Sequence, residues 1–162
     1  MANGAQRAYI GLGGNLGDAR ATVQAGLTSL ALVPGCTLVA VSSLYRSAPV
    51  EAGGPDFINA VAALDTTLEA HALLAALQAI ELAHGRQRPY RNAPRTLDLD
   101  LLLHGTQLLH TATLLLPHPR LHQRAFVLQP LLELAPSLTV PGLGKLSAHL
   151  AACADQRIER LP

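Results

Sequence analysis

The sequence predicts an α+β fold: a ferredoxin-like βαββαβ core with an antiparallel sheet, helices on one face and C-terminal additions, in one domain spanning residues 1–162. Three observations predict it. Apolar runs of strand period and of helix period follow one another in that order. Clusters of Gly, Pro and Asp punctuate them. A chain of 162 residues holds one core plus a short extension, and two domains would be cramped.

The first strand lies in "RAYIGLGGNLGD", whose apolar start runs into glycines, so a turn is predicted at Gly13, Gly14 and Asn15. Asp18 is a good N-cap for the helix that follows, where Val23, Leu27, Leu30 and Ala31 recur at helical spacing until Pro34 and Gly35 close it. "CTLVAVSSLYRSAP" and "DFINAVAALDT" are β-branched, roughly alternating runs that predict a hairpin with a long Pro/Gly-rich connection. The second helix reads "LEAHALLAALQAIELAHG", with Leu73, Leu74, Leu77, Ile80 and Leu82 on one broad stripe and Gly85 as its C-terminal cap. A basic loop, "RQRPYRNAPR", leads into the strand "TLDLDLLLHG". Two helical additions are predicted in "LPHPRLHQRAFVLQPLLELAP" and "LGKLSAHLAACADQ".

Composition narrows the function classes. The chain is 49% hydrophobic and 14% charged, which excludes a disordered chain, and a net charge of +1 argues against a nucleic-acid partner. Cys36 and Cys153 are far apart and predict reduced thiols rather than a disulfide framework or a cysteine zinc site. Neither a secretory signal nor a membrane-spanning run is read from the sequence, so a cytoplasmic protein is expected.

The chemistry concentrates in "RTLDLD". Residues two apart on a strand share a face, so Asp98 and Asp100 project together while Leu97, Leu99 and Leu101 pack on the other side. Adjacent carboxylates among leucines repel and are costly unless a cation lies between them, and such hard oxygen donors suit Mg²⁺. A wet edge strand is the bland alternative. Arg86, Arg88, Arg91 and Arg95 stand just before the acids, and guanidinium forks beside a metal are how proteins hold polyphosphate. "LPHPRLHQRAF" adds His118, Arg120, His122 and Arg124, with Phe126 as a stacking surface. A zinc reading of His118 and His122 fails for want of a third soft ligand, and Pro119 lies between them. Two glycine motifs also fail: GxGxxG needs glycine where Leu16 stands, and a P-loop ending at Lys145 needs it at Thr139. Another metal-dependent nucleotidyl or phosphoryl transferase, or a non-catalytic regulatory module on this fold, remains open on these residues alone.

"YIGLGGNLGD", "SSLYRSAPV", "DFINAV", "RTLDLDLLL" and "LPHPRLHQRAFVLQPLLELAP", in that order, resemble the 6-hydroxymethyl-7,8-dihydropterin pyrophosphokinases of folate biosynthesis. The resemblance implies an enzyme that moves the diphosphoryl group of ATP onto the hydroxymethyl oxygen of 6-hydroxymethyl-7,8-dihydropterin and releases AMP. It implies that Asp98 and Asp100 hold two Mg²⁺ ions, and that Arg86 and Arg95 act with them in catalysis. Pterin would be bound by Asn59, by backbone groups of Ser47, Ala48 and Val50, and between the rings of Phe57 and Phe126, the chain's two phenylalanines. ATP would be bound by Gln78, Glu81, Arg86, Arg88, Arg95, His118 and Arg124. A monomer acting on two small molecules, away from membranes, is expected. Departures from the family pattern fall at "YRNAPR", where some members carry a Trp and here only Tyr90 is available, at Thr113, where some carry Arg, and at Gly14, where Ser is common.

Overall fold

The computed structural model describes residues 4–48, 55–85 and 97–162. In chain order these form β1 (Gln6–Gly14), α1 (Ala19–Ala31), β2 (Cys36–Val41), β3 (Tyr45–Ser47), β4 (Phe57–Thr66), α2 (Ala70–Ala83) and β5 (Asp98–His104). A short ribbon of β6 (Leu109–His110) and β7 (Leu115–Leu116) follows, then α3 (Ala125–Leu134) and a second ribbon of β8 (Thr139–Val140) and β9 (Gly144–Lys145). A 3₁₀ helix, Leu146–Cys153, and β10 (Ile158–Arg160) end the chain.

The main sheet runs β10-β3-β4-β1-β5, with β2 also on β4, and every pairing is antiparallel. This is the predicted βαββαβ core. Asp18 caps α1 as expected, its carboxylate accepting the Ala21 N–H at 3.1 Å. Gly85 follows α2 at φ 93°, a left-handed conformation that suits glycine.

Four local expectations are corrected. Strand β1 runs through Gly13 to Gly14 instead of turning there, because Gly13 is paired on both sides, with Asn59 and with Asp98. The second strand breaks into β2 and β3 at Ser42, whose hydroxyl accepts the Val61 N–H at 2.9 Å in place of a backbone carbonyl. The first C-terminal helix covers only Ala125–Leu134; Pro117 and Pro119 lack N–H donors and the chain before Ala125 turns instead. The second is a 3₁₀ helix.

Strand alternation builds two cores. On one face Ile10, Leu12, Ala60, Ala62, Leu64, Leu99 and Leu101 meet Val23 and Leu30 of α1 and Leu73 and Leu77 of α2. On the other, Tyr9, Val61, Ala63, Leu102 and Leu103 meet Leu128 and Leu131 of α3 and Leu146 of the 3₁₀ helix. The C-terminal additions thus cover part of the second face. The rest stays open, and the polar positions of β1, β4 and β5 face into that opening.

Candidate active site

The floor of the opening is a row across three strands. Asp98 of β5 pairs with Gly13 of β1, which pairs with Asn59 of β4; one step along, Asp100 pairs with Gly11. Neighbouring strands lie about 4.8 Å apart, so the acid end and the amide end of the row are separated by roughly 10 Å. The two glycines between them carry no side chain, which leaves a trough. Above it lies a cavity of about 780 Å³ lined by Ser47, Ala48, Phe57, Asn59, Asp98, Asp100, Arg124 and Phe126 among others. A volume of this size accommodates small organic ligands.

At the amide end Asn59 is 4% exposed and Ser47 5%. The Ser47 hydroxyl donates to Asn59 Oδ1 at 2.6 Å. A Cβ at position 13 would stand 3.0 Å from Asn59 Nδ2, so the amide lies directly over the bare glycine. Phe57 starts β4 and Phe126 is the second residue of α3, so the two rings reach the cavity from different layers of the fold. Arg124 holds its guanidinium carbon 5.5 Å from the Phe126 ring centre, a cation–π contact.

At the acid end Asp98 and Asp100 are half-buried on β5. Strand β5 is an edge strand here, and the Leu99 N–H finds its acceptor in Glu81 Oε2 of α2, at 2.8 Å. Glu81 is 5% exposed. Its carboxylate therefore ties the start of the acid-bearing strand to helix α2. His118 accepts the Arg120 N–H on Nδ1 at 3.1 Å, so a neutral ring carries its proton on Nε2. Burial lowers the His118 pKa; Asp100 opposes that shift, Arg124 and Arg120 add to it, and the net direction is downward. The ring is neutral at pH 7, a donor rather than a cation.

The structure thus gathers Ser47, Ala48, Phe57, Asn59, Asp98, Asp100, Arg124 and Phe126 around one cavity. His118 stands in the electrostatic reach of Asp100 and Arg124. Gln78 is exposed on α2 and is not among the residues lining the cavity. Val50, Arg86, Arg88 and Arg95, with Tyr90, lie outside the described residues.

Several lining residues escaped the sequence reading. Gly11 and Gly13 alternate in phase with the acids and were legible as a side-chain-free stripe. Arg120 had no assigned role and lines the cavity beside Arg124. Gln123, Gln156 and Arg157 also line it. No local signal marks Gln156 and Arg157, because β10 brings them there by pairing with β3, Ile158 opposite Ser47. Gln156 fastens this segment to the start of α3, accepting the Ala125 N–H at 2.8 Å and donating to Gln123 O at 2.8 Å.

The donor set tests the metal expectation. Among the described residues no cluster of three or more His, Cys, Asp or Glu side chains forms a closed metal site. Two carboxylates open to a cavity do fit Mg²⁺, which takes one or two protein carboxylates and fills its shell with water and substrate phosphates.

Comparison with known proteins agrees with this geometry. The family model for 7,8-dihydro-6-hydroxymethylpterin-pyrophosphokinase matches residues 9–136. A Pseudomonas aeruginosa protein named 2-amino-4-hydroxy-6-hydroxymethyldihydropteridine pyrophosphokinase is 52% identical over 158 residues, 97% of this chain and 98% of its own. One of the same name from Methylorubrum extorquens is 43% identical, over 94% of this chain and 99% of its own. The fold is also that of a solved HPPK-DHPS from Plasmodium falciparum with pterin and p-hydroxybenzoate, at a TM-score of 0.73 and 12% identity. That likeness covers 91% of this chain and 43% of the other, so the chain spans about two fifths of its length. Motif order, trough and relatives agree: the chain belongs to the 7,8-dihydro-6-hydroxymethylpterin-pyrophosphokinase family.

Proposed function

We propose that the chain transfers the diphosphoryl group of ATP to the hydroxymethyl oxygen of 6-hydroxymethyl-7,8-dihydropterin, in folate biosynthesis. The observation that carries this reading is the trough with an amide at one end and two carboxylates at the other, roughly 10 Å apart. The pterin's lactam edge meets Asn59, its ring lies between Phe57 and Phe126, and its hydroxymethyl arm reaches along Gly13 toward Asp98 and Asp100.

There the hydroxymethyl oxygen forms a bond to the β-phosphorus of ATP, the bond from that phosphorus to the α–β bridging oxygen breaks, and AMP leaves with that oxygen. The hydroxyl proton is released. Asp98 and Asp100 would hold two Mg²⁺ ions. When bound, Mg²⁺ offsets triphosphate charge and lowers the pKa of the attacking hydroxyl. Arg124 and the neutral His118 donate toward phosphate oxygens, with Gln78, Glu81, Arg86, Arg88 and Arg95 as the remaining nucleotide contacts; Arg86 and Arg95 serve the transfer itself. Alignment of the two substrates supplies much of the rate. No helix among the described residues is long and apolar enough to cross a membrane. A cytoplasmic monomer is the setting we propose.

The test is incubation with ATP, Mg²⁺ and 6-hydroxymethyl-7,8-dihydropterin, with the nucleotide products resolved. AMP in equal amount to pterin diphosphate is the expected result. ADP would place the chain among single-phosphoryl transferases and overturn the reading.

A further inference from the structure

Helix α3 begins without a side-chain cap of its own. Its N-cap is Arg124, in extended conformation at φ −119° and ψ 115°, and that side chain makes no capping hydrogen bond. The Val127 and Leu128 N–H groups donate to Arg124 O, but the N–H of Ala125, a buried residue, has no acceptor within the helix. Gln156 supplies one from the far end of the chain. Its Oε1 accepts the Ala125 N–H at 2.8 Å while its Nε2 donates to Gln123 O at 2.8 Å. A backbone N–H only donates and a backbone carbonyl only accepts, so this pair of partners fixes which way the Gln156 amide faces. Cys153 Sγ adds a contact just before it, donating to His122 O at 3.7 Å. Gln156 is itself anchored: its N–H donates to Cys153 O at 3.0 Å, and two residues on Ile158 pairs with Ser47.

We propose that Gln156 is a positioning residue for the transfer: its two bonds clamp the peptide groups on either side of Arg124 and hold the Arg124 guanidinium and the Phe126 ring in their binding orientation at the cavity wall. Those two side chains line the cavity 5.5 Å from each other, and Gln156 acts through them. Without the clamp the Ala125 N–H must turn to water, the first turn of α3 frays, and the ring loses the fixed tilt that stacking on a flat ligand requires. The segment that carries Gln156 also pairs with β3 beside Ser47, so β3 and α3, on two sides of the cavity, share one brace. The inference rests on the pterin reading of the cavity and adds to it the residue that holds the stacking wall. A glutamate at this position keeps the acceptor for the Ala125 N–H and places a negative charge at a helix N-terminus, which supports the helix end. It has no donor for Gln123 O, so it leaves that side of the clamp open.

The experiment measures equilibrium binding of 6-hydroxymethylpterin and of Mg-ATP, beside thermal midpoints, for the wild type, Gln156→Ala, Gln156→Glu and Phe126→Leu, and for each Gln156 variant combined with Phe126→Leu. Gln156→Ala is expected to weaken pterin binding by about fivefold, the scale of one aromatic contact. In the Phe126→Leu background the same change weakens it by less than about twofold, because the ring that the clamp holds is gone. Gln156→Glu keeps the thermal midpoint within about 2 °C of the wild type yet loses about threefold in pterin affinity, again only where Phe126 is present. It carries the test should Gln156→Ala fold poorly. Mg-ATP, with several other phosphate contacts proposed, loses less than the pterin in both variants. Wild-type pterin affinity in either Gln156 variant, an equal loss with and without Phe126, or an equal loss for pterin and Mg-ATP overturns the brace alone. A wild type that binds Mg-ATP but not the pterin overturns the reading of the cavity, and the brace with it.

Discussion

Asp98 and Asp100 place two carboxylates on one face of β5, at a local desolvation cost. Each is half-buried beside leucines, on the face that α3 leaves open. As the proposed ligands of a bound cation, they are expected to add less to the stability of the unliganded fold than to turnover. Replacing either with Asn preserves shape and removes charge, so turnover should fall by roughly a thousandfold or more. The thermal midpoint should stay within about 2 °C of the wild type or rise. Steady-state kinetics beside a thermal melt separates the two effects, and a variant that keeps wild-type turnover would remove these acids from the reaction. Of the single residues, Asp98 and Asp100 were legible in the sequence because alternation and residue type suffice to place them, whereas Asn59, Phe57 and Phe126 were singled out as a pterin site through the resemblance of their motifs. Ser47 was read only for its backbone. Its hydroxyl partner is twelve residues away on the neighbouring strand, a distance that only the register of β3 on β4 reveals.

Among the elements, α3 brings Phe126 of its first turn beside the cavity and must be held against the sheet. Glu133 provides much of that hold. Its carboxylate accepts the Ser43 N–H at 3.1 and 3.0 Å, the Ser43 hydroxyl at 3.1 Å and the Tyr45 hydroxyl at 2.7 Å. Burial alone would raise the Glu133 pKa, but the Tyr45 and Ser43 hydrogen bonds and the nearby Arg160 outweigh it and the net shift is downward. A carboxylate with a depressed folded pKa contributes stability above its ordinary value of 4.5 and loses it as the pH falls through the lower folded value. Burial and the Glu133 bond push Tyr45 up to about 12, so its contribution is present below pH 10 and is lost as the pH rises from 10 toward 12. Glu133→Gln should cost about 1 kcal/mol at pH 7. The difference from wild type should persist above 4.5 and shrink as the pH falls through the lower folded value, as followed by urea midpoints against pH. A constant difference at all pH values would mean that packing, not charge, is what Glu133 supplies. The break between β2 and β3 that presents Ser43 to this carboxylate was not legible, because "VSSLY" alternates like a continuous strand and only the Ser42 bond to Val61 shows why it bends.

For the whole molecule, the C-terminal segment completes both the sheet and the cavity rim. Strand β10 covers the outer edge of β3, Gln156 fastens α3, and Arg157 lines the cavity. Deleting residues 156–162 should expose that edge and lower the thermal midpoint by about 5–10 °C. Pterin affinity should drop several-fold, and ATP affinity less. Calorimetric titration of the truncated chain checks this, and unchanged pterin affinity would confine β10 to a structural role.

The sequence by itself determined the antiparallel βαββαβ core, the phase of Asp98 and Asp100, and the family motifs, because period-two and period-3.6 patterns and turn residues are local properties that a chain carries before it folds. Tertiary structure alone decided that the C-terminal additions cover the second face, that Gly13 sits between Asn59 and Asp98, and that the Ser47 hydroxyl meets Asn59 Oδ1. Each of these depends on strand register and on contacts between residues far apart in the chain, which no local pattern specifies.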